Sequence, residues 1–356
     1  MPTANPKIPS VADYEIVING TSLPVQHKTH LSTLTVDLDT ACPGMFEFAL
    51  AGSHYLKTET AFVDDTNLFA VGNVVECKMG YVNNLQTVMV GEITGLEPEF
   101  TTRSLPQLVV RGHDRGHRLH RGRKIRTFIQ QKDSDIASTI ASDAGLTGDV
   151  TDSSVIHDYV LQANQSDMEF LKERACRINY EVVVEDKKLI FRPVQNAQSE
   201  VLTLTMEDDL LEFRPRLSTM RQLSEVEVRG WNQKDGTVIA GQAKAGDENS
   251  SMAGQKSGGA MAANAFGKAS ALIVDQPPMT QAEADQFAVA RFNEAALALL
   301  SGGGLSRGRT DLKAGRVIRI DGIGQRFSGL YYVTAASHRY RTSGYYTHFT
   351  VRRNAS

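Results

Sequence analysis

Through the first third of the chain the apolar residues fall on every second position. Leu34, Val36 and Leu38 alternate with Thr35 and Asp37, Phe46, Phe48 and Leu50 with Glu47 and Ala49, and Val75, Cys77 and Met79 with Glu76 and Lys78. Successive side chains of a strand point to opposite faces, so this period predicts antiparallel strands with one greasy face each. Asn19-Gly20 after the run 15–18, and Asn83-Asn84 before the β-prone run 87–93, supply turn chemistry. The spacing predicts a small barrel or sandwich ending near Arg111.

Beyond Arg111 the period changes. Asp133 or Ser134 can cap a helix whose Ile136, Ile140 and Ala144 share one face, with Gly145 as its stop. Ser166 and Glu169 form a capping box ahead of the stripe Leu171, Ala175 and Ile178, and the runs 180–184 and 189–192 pair as a hairpin across 185–188. Residues 112–200 therefore read as a compact α+β unit. From Val201 the alternation is β again, with Leu202 and Leu204, then Val226 and Val228 before Trp231. Between Ala240 and Ser270, 19 of 31 residues are Ala, Gly or Ser, too little apolar mass to fix a fold, which predicts a mobile insertion. Thr280 and Glu283 open a helix running to about Leu300, where Ser301 to Gly304 breaks it, and strands return over 313–353.

The chain also echoes itself. Gly72-Asn-Val-Val-Glu, the run 87–93, Phe100-Thr-Thr-Arg-Ser and Leu108-Val-Val-Arg are matched by Gly315-Arg-Val-Ile-Arg, the run 330–334, Tyr340-Arg-Thr-Ser-Gly and Phe349-Thr-Val-Arg. The echo predicts two similar β domains. The resulting division is a first β-barrel domain over 1–111, the α+β domain over 112–200, a second barrel from 201–235 with 310–356, and a soft insertion plus helix over 236–309. In the two barrels the strands after Gly72 and Gly315 would line a ring, with Val75, Cys77 and Met79 inward and Glu76 and Lys78 outward.

Composition narrows the function classes. With 38 Lys and Arg against 41 Asp and Glu, a net charge of −3 argues against a surface built wholly for nucleic acid or anionic lipid. Cys42, Cys77 and Cys176 are far apart and odd in number, which predicts no disulfide framework and no zinc knuckle; Cys77 and Cys176 read as buried thiols. Met1 to Ser10 lacks the apolar core of a signal peptide, and no apolar run is long enough to span a membrane.

Candidate chemistry is sparse. His113, His117 and His120 would share a helical face, but the surrounding arginines repel a divalent cation and Gly112, Gly116 and Gly122 oppose a long helix. The arginines of 111–126 could neutralise phosphates; charge pairing across a subunit interface, with Glu207-Asp208-Asp209 as partner, accounts for them better. The pairs Asp64-Asp65, Asp208-Asp209 and Asp247-Glu248 are adjacent and so point to opposite faces, which cannot straddle a sugar bond. No nucleophile elbow surrounds a serine, His157 and His338 have no motif around them, and the loop 301–309 lacks the Gly-Lys-Ser/Thr of a phosphate cradle. No catalytic, cofactor-binding or metal-binding residue is assigned, and no cofactor is expected. The interface candidates are Glu76, Lys78, Arg111, Arg115, Arg118, Arg121 and Arg319.

A run of ordered segments resembles the phage late control D proteins, tail hubs related to the hub part of VgrG-type spike proteins. They are the runs 75–81 and 91–94, Arg111-Gly-His-Asp-Arg-Gly-His-Arg-Leu119, 133–137 with Ala144-Gly-Leu146, 162–171, Val228-Arg-Gly-Trp231, 327–334, His338 and 344–349. The resemblance implies a mainly β fold with α+β insertions, in which two small tube-like β-barrel domains assemble as a trimeric pseudo-sixfold ring. It implies a structural baseplate hub of a contractile phage tail or injection system, adapting a hexameric tail tube to a trimeric spike. The implied partners are two further copies of the chain, a tail tube protein, a spike protein and other baseplate proteins, with nucleic acid only in transit through the channel. Because VgrG-type hubs continue into a needle and this chain stops at Ser356, a separate spike is expected. The particle would assemble in the bacterial cytoplasm without a signal peptide. The alternatives are a tail-associated peptidoglycan hydrolase, a type VI secretion-like hub and a basic-patch nucleic-acid binder.

Overall fold

The computed structural model describes residues 11–52, 67–101, 105–232 and 235–356. Met1 to Ser10, Asp64-Asp65 and the Arg103-Ser104 part of the echo lie outside them. The first β unit contains β1 (Ala12–Ile18), β2 (Thr21–Ser22), a helical turn α1 (Val25–Lys28), β3 (Leu31–Asp39), β4 (Met45–Ala51), β5 (Val74–Tyr81), β6 (Asn84–Glu99) and β7 (Gln107–His113). The turn between β1 and β2 is made by Asn19 and Gly20, both at positive φ, which Gly and Asn adopt at low cost. Alternate side chains of these strands close on one core containing Ile16, Leu34, Val36, Phe46, Phe48, Val75, Cys77, Met79 and Val110. A buried Phe, Leu or Met of this kind contributes roughly 1.5–3 kcal/mol, so the period-2 pattern is what places the sheet. Glu76 and Lys78 point away from that core, and Lys78 lies 3.1 Å from Glu15 across the strand pair.

The middle unit contains β8 (Lys124–Lys132), α2 (Asp133–Asp143), β9 (Thr147–Val150), β10 (Ile156–Gln165), α3 (Asp167–Arg177), β11 (Tyr180–Glu185) and β12 (Lys188–Pro193), around its own core. The capping box at Ser166 and Glu169 forms in both directions, and Gly145 ends α2 at φ +69°. Cys176 is exposed, contrary to the buried reading, because it falls beside the stripe of Leu171 and Ala175 instead of on it.

The second β unit opens with β13 (Thr203–Thr205) and β14 (Leu210–Leu217). It then departs from the sequence reading. β15 (Glu225–Asn232), expected in this barrel, pairs with β16 (Thr237–Lys244) and β17 (Ser270–Ile273) in a separate small sheet under α5 (Gln281–Ala296). The Ala/Gly/Ser-rich stretch between β16 and β17 carries a helix, α4 (Gly258–Phe266), capped by Ser257. Its small residues allow close approach: a Cβ on Gly258 would stand 2.0 Å from Gln222 Oε1, and one on Gly259 2.5 Å from the Leu223 carbonyl.

After α5 the chain returns to the second β unit through β18 (Leu300–Arg307), β19 (Val317–Asp321), β20 (Gly329–Arg341) and β21 (Gly344–Arg353). The glycine run 302–304, read as a flexible loop, is the centre of β18. A Cβ on Gly304 would meet the Phe349 ring at 2.4 Å, so glycine here makes room for an aromatic across the strand pair.

The two β units repeat one another strand by strand. The order β3-β4-β7-β6-β5 of the first is the order β14-β18-β21-β20-β19 of the second. Register breaks recur at corresponding points, between Ile93 and Gly95 on β6 and between Val333 and Ala335 on β20, and again between Leu31 and Thr33 on β3 and between Leu210 and Glu212 on β14. The Gly72 N–H donates to Ile93 O and the Gly315 N–H to Val333 O, each over 2.8 Å. The sequence echo is thus a structural duplication, although its final segment aligns two residues out: Val110, not Leu108, corresponds to Phe349. A two-residue offset preserves the side-chain period, so each echoed residue still falls on the same face as its counterpart. The units are joined into one sheet where residues 335–341 of β20 pair antiparallel with residues 39–33 of β3.

Candidate functional site

One face of this joined sheet carries the two cores; the other is polar and open. Across it, register aligns Glu212 with Leu305, Leu305 with His348, His348 with Ser337, Ser337 with Asp37, and Asp37 with Met45. A shallow groove of about 750 Å³ runs over the joint, lined by Asp37, Asp39, Glu212, Arg214, Ser337 and His348 among others. The charges on this face are mixed, and some pair with one another: Arg214 lies 2.5 Å from Glu212, and Arg111 lies 2.9 Å from Glu47 and 3.3 Å from Glu97. Burial, and then Arg339, hold the His348 imidazole below its ordinary range. Exposed pairs of this kind are each worth little to stability.

At one corner of the first unit the basic connector folds back on the chain. Asp114 caps a 3₁₀ turn (Arg115–His120), accepting the Gly116 N–H at 2.8 Å and the Gly44 N–H at 2.5 Å. Burial pushes its carboxyl up from 3.8 to about 6, against the pull of those two bonds. The buried Glu92 carboxylate receives Arg115 Nε at 3.1 Å, Arg118 Nε at 2.9 Å and Arg118 Nη2 at 2.5 Å, with His117 Nε2 at 3.3 Å. Arg115 reaches on to Asp186 of the middle unit. At the corresponding site of the second unit, Tyr332 donates to Glu181 of the middle unit, which also accepts Arg192 Nε at 2.9 Å. Each β unit therefore fastens the α+β unit through one buried residue next to its register break.

Within the middle unit, Asp133, His157 and Arg174 form a second buried cluster, with Asp133 accepting Arg174 Nε at 2.6 Å and facing His157 Nε2 at 3.2 Å. Burial opposes the charge on Asp133, but the bond to His157 and the Arg174 guanidinium outweigh it and hold the carboxyl below its usual range. With a guanidinium on the same imidazole nitrogen and almost no exposure, the cluster braces α2 against α3 and presents no reacting atom to solvent.

The interface candidates are scattered by the fold. Arg115 and Arg118 meet at Glu92, Arg111 sits on the open face, Glu76 and Lys78 lie on β5, Arg319 lies 3.3 Å from Glu200, and Arg121 is exposed. Of the acidic stretch Glu207-Asp208-Asp209, expected to pair with the connector across a subunit interface, Asp209 is buried and lies 3.3 Å from Arg309 of its own chain. His113, His117 and His120 share no helical face, because the turn is 3₁₀ and His113 ends β7; among the described residues no His, Cys, Asp or Glu cluster could hold a metal ion. Sequence reasoning missed Glu92, Asp186, Glu181 and Tyr332. The only signal for Glu92 was a charged residue inside an apolar run, between Gly91 and Ile93. The ribbon of β8 and β10 was also missed, and it leaves Ile125, Ile129, Tyr159 and Leu161 exposed.

A family model described as the Alg8 N-terminal domain matches residues 10–342. Three solved structures share the fold. A prophage tail protein from Shewanella oneidensis is 12% identical with a TM-score of 0.72, covering 96% of this chain and 98% of that one. A tail protein from Neisseria meningitidis is 12% identical with a TM-score of 0.68, covering 97% of each chain. An Escherichia coli protein, described as a type VI secretion system component with structural similarity to bacteriophage T4 tail proteins, is 13% identical with a TM-score of 0.62, covering 96% of this chain and 77% of that one. No curated protein sequence matches the chain. Among the described residues no helix is long and apolar enough to cross a membrane.

Proposed function

The chain belongs to the Alg8 N-terminal domain family, and from its likeness in fold to tail proteins we propose that it is the structural hub at the tip of a contractile tail or injection particle, not an enzyme. The observation that carries the reading is the duplication of a β unit inside one continuous sheet. Three copies, each bringing two units of like fold, would present six similar surfaces to a sixfold tube while keeping threefold symmetry for a spike. The open polar face would line the passage between them, and the three fastened α+β units would stiffen its rim.

In this role the chain nucleates the tube, carries the thrust of contraction and leaves an open channel when the spike departs. The test is co-purification with the tube protein and the spike protein of the same particle. The expected result is one complex containing all three. A folded chain that binds neither removes the hub reading, and clearing of cell-wall peptidoglycan by the purified chain would replace it with hydrolysis.

A further inference from the structure

The two β units differ in charge at one matching corner. In the first, Asp114 stands just past β7, and its carboxylate accepts the N–H groups of Gly44 and Gly116. The corresponding residue of the second is Arg353, at the end of β21. Beside it a cavity of about 810 Å³ opens between β21, the loop from β19 to β20 and the residues ahead of α4. Each of these brings a cation to the walls: Arg353, Arg326 and Lys256, with Arg319 of β19 next to them. Arg319 is answered by Glu200 at 3.3 Å, but among the described residues no carboxylate lies within ion-pair distance of the other three.

Arg353 is 4% exposed. Its Nη1 donates to Ser328 O at 3.0 Å and its guanidinium lies 5.6 Å from the centre of the Tyr331 ring, yet its Nε has no hydrogen-bond partner. A Cβ on Gly329, at φ +137°, would stand 2.8 Å from Nη1, so the backbone makes room for this guanidinium. A buried cation without a counter-charge is costly, and an anion brought to the pocket removes that cost.

We propose that this pocket binds an acidic peptide segment of a partner protein, with Arg353 in its wall and Lys256 and Arg326 exposed at its rim. Carboxylates suit it better than the phosphates of a nucleic acid. No aromatic side chain on the walls could stack a base, Asp321 opposes a continuous line of negative charge, and Leu217 and Met261 offer an apolar strip to the methylenes of a glutamate. The hub reading identifies the partner, and only this step rests on it. A sixfold tube would meet the two units alternately and find the basic corner at every second subunit, whereas a threefold spike finds one per copy. The acidic segment therefore belongs to the spike protein.

Anisotropy of a fluorescent hexaglutamate peptide tests the pocket on the purified chain, with a thermal melt of each variant to confirm folding. Wild type should bind the peptide, and K256E/R326E should bind it about tenfold or more weakly, because two attractive charges become repulsive. The control R341E/R352E reverses two exposed charges off the pocket and should stay within about twofold of wild type. In pull-downs K256E/R326E should lose the spike protein and keep the tube protein. No peptide binding by wild type, equal affinity in K256E/R326E, or displacement of the peptide by an oligothymidylate of equal charge more readily than by unlabelled hexaglutamate overturns the pocket and leaves the hub reading intact. Weakened peptide binding with the spike protein retained overturns its assignment to the spike. A wild type that binds the peptide but neither particle protein removes the hub reading and leaves the acidic-peptide pocket standing.

Discussion

The two β units place the same strands in the same register and fill them with opposite side chains. On the first unit Phe46 and Phe48 of β4 face Gly112 and Val110 of β7; at the corresponding places Gly302 and Gly304 of β18 face Val351 and Phe349 of β21. The bulk has moved from one strand of the pair to its neighbour. A Cβ on Gly112 would stand 2.1 Å from the Phe46 ring, as one on Gly304 would from Phe349 at 2.4 Å. The topology thus constrains the volume shared by a cross-strand pair and leaves its division free. The anchors to the middle unit differ in the same spirit: Glu92 with two arginines on one side, Tyr332 with one carboxylate on the other.

The largest effect should come from the charged anchor. Glu92→Ala leaves Arg115, 7% exposed, without the carboxylate at its Nε and without replacement solvent. Breaking one side of a buried pair costs about 3–5 kcal/mol, read as a lower urea midpoint at constant slope. A loss below about 1 kcal/mol would show that Asp186 alone satisfies Arg115 and that the anchor is not where the charge difference between the units acts.

Acid titration separates the units next. Asp114 of the first corresponds to Arg353 of the second, and only the former is a buried carboxyl. Its folded value, about 6, lies above its ordinary 3.8. Between those values the unfolded chain has already released the proton that the folded chain keeps, so this group's contribution falls as pH rises from about 4 to about 6 and is level above; the full span is roughly 3 kcal/mol. Asp114→Asn should cancel that slope. The measurement is wild type minus variant stability at pH 4.5 and pH 6.5, a difference in which Asp133, which loses stability toward acid, drops out. An unchanged difference would mean that the bonds from Gly44 and Gly116 hold the group ionised throughout.

Within β18 the swapped volumes predict opposite outcomes for adjacent glycines. Gly304→Ala meets Phe349 and should cost about 1–3 kcal/mol, whereas a Cβ on Gly303 has nothing nearer than the Phe349 carbonyl at 3.7 Å. Gly303→Ala should therefore be neutral or gain roughly 0.4–1 kcal/mol by narrowing the unfolded ensemble. Equal losses at both positions would mean that the strand, and not the pair, demands glycine.

These glycines mark where the sequence was opaque. Alternation shows a strand only when the strand carries its own bulk, as β3, β4 and β5 do; β18 borrows Phe349 and so reads as a loop. The caps of α3 and α5 were legible because Ser166 and Glu169 bond one another, and Thr280 accepts the Glu283 N–H, across only three positions. Glu92 was not, because its partners Arg115 and Arg118 lie more than twenty residues along and on another element. The same holds for Tyr332, which sits in an unbroken β run while its partner Glu181 belongs to the middle unit. Of the connector, sequence showed the charge; the fold showed that most of it is answered within the chain.

The smallest effect concerns the neutral anchor. Tyr332→Phe keeps the ring and the volume and removes only the hydroxyl that donates to Glu181. Glu181 keeps Arg192 at 2.9 Å, so no charge is stranded and the loss should be about 1–2 kcal/mol, less than half that of Glu92→Ala. Hydrogen exchange gives the second readout: the loss should appear at β11 and β12, which Glu181 and Arg192 carry, before it appears in the first β unit. If Tyr332→Phe instead costs as much as Glu92→Ala, the hydroxyl is holding Glu181 in its ionised, buried state, and the two anchors are electrostatic equivalents despite their different side chains.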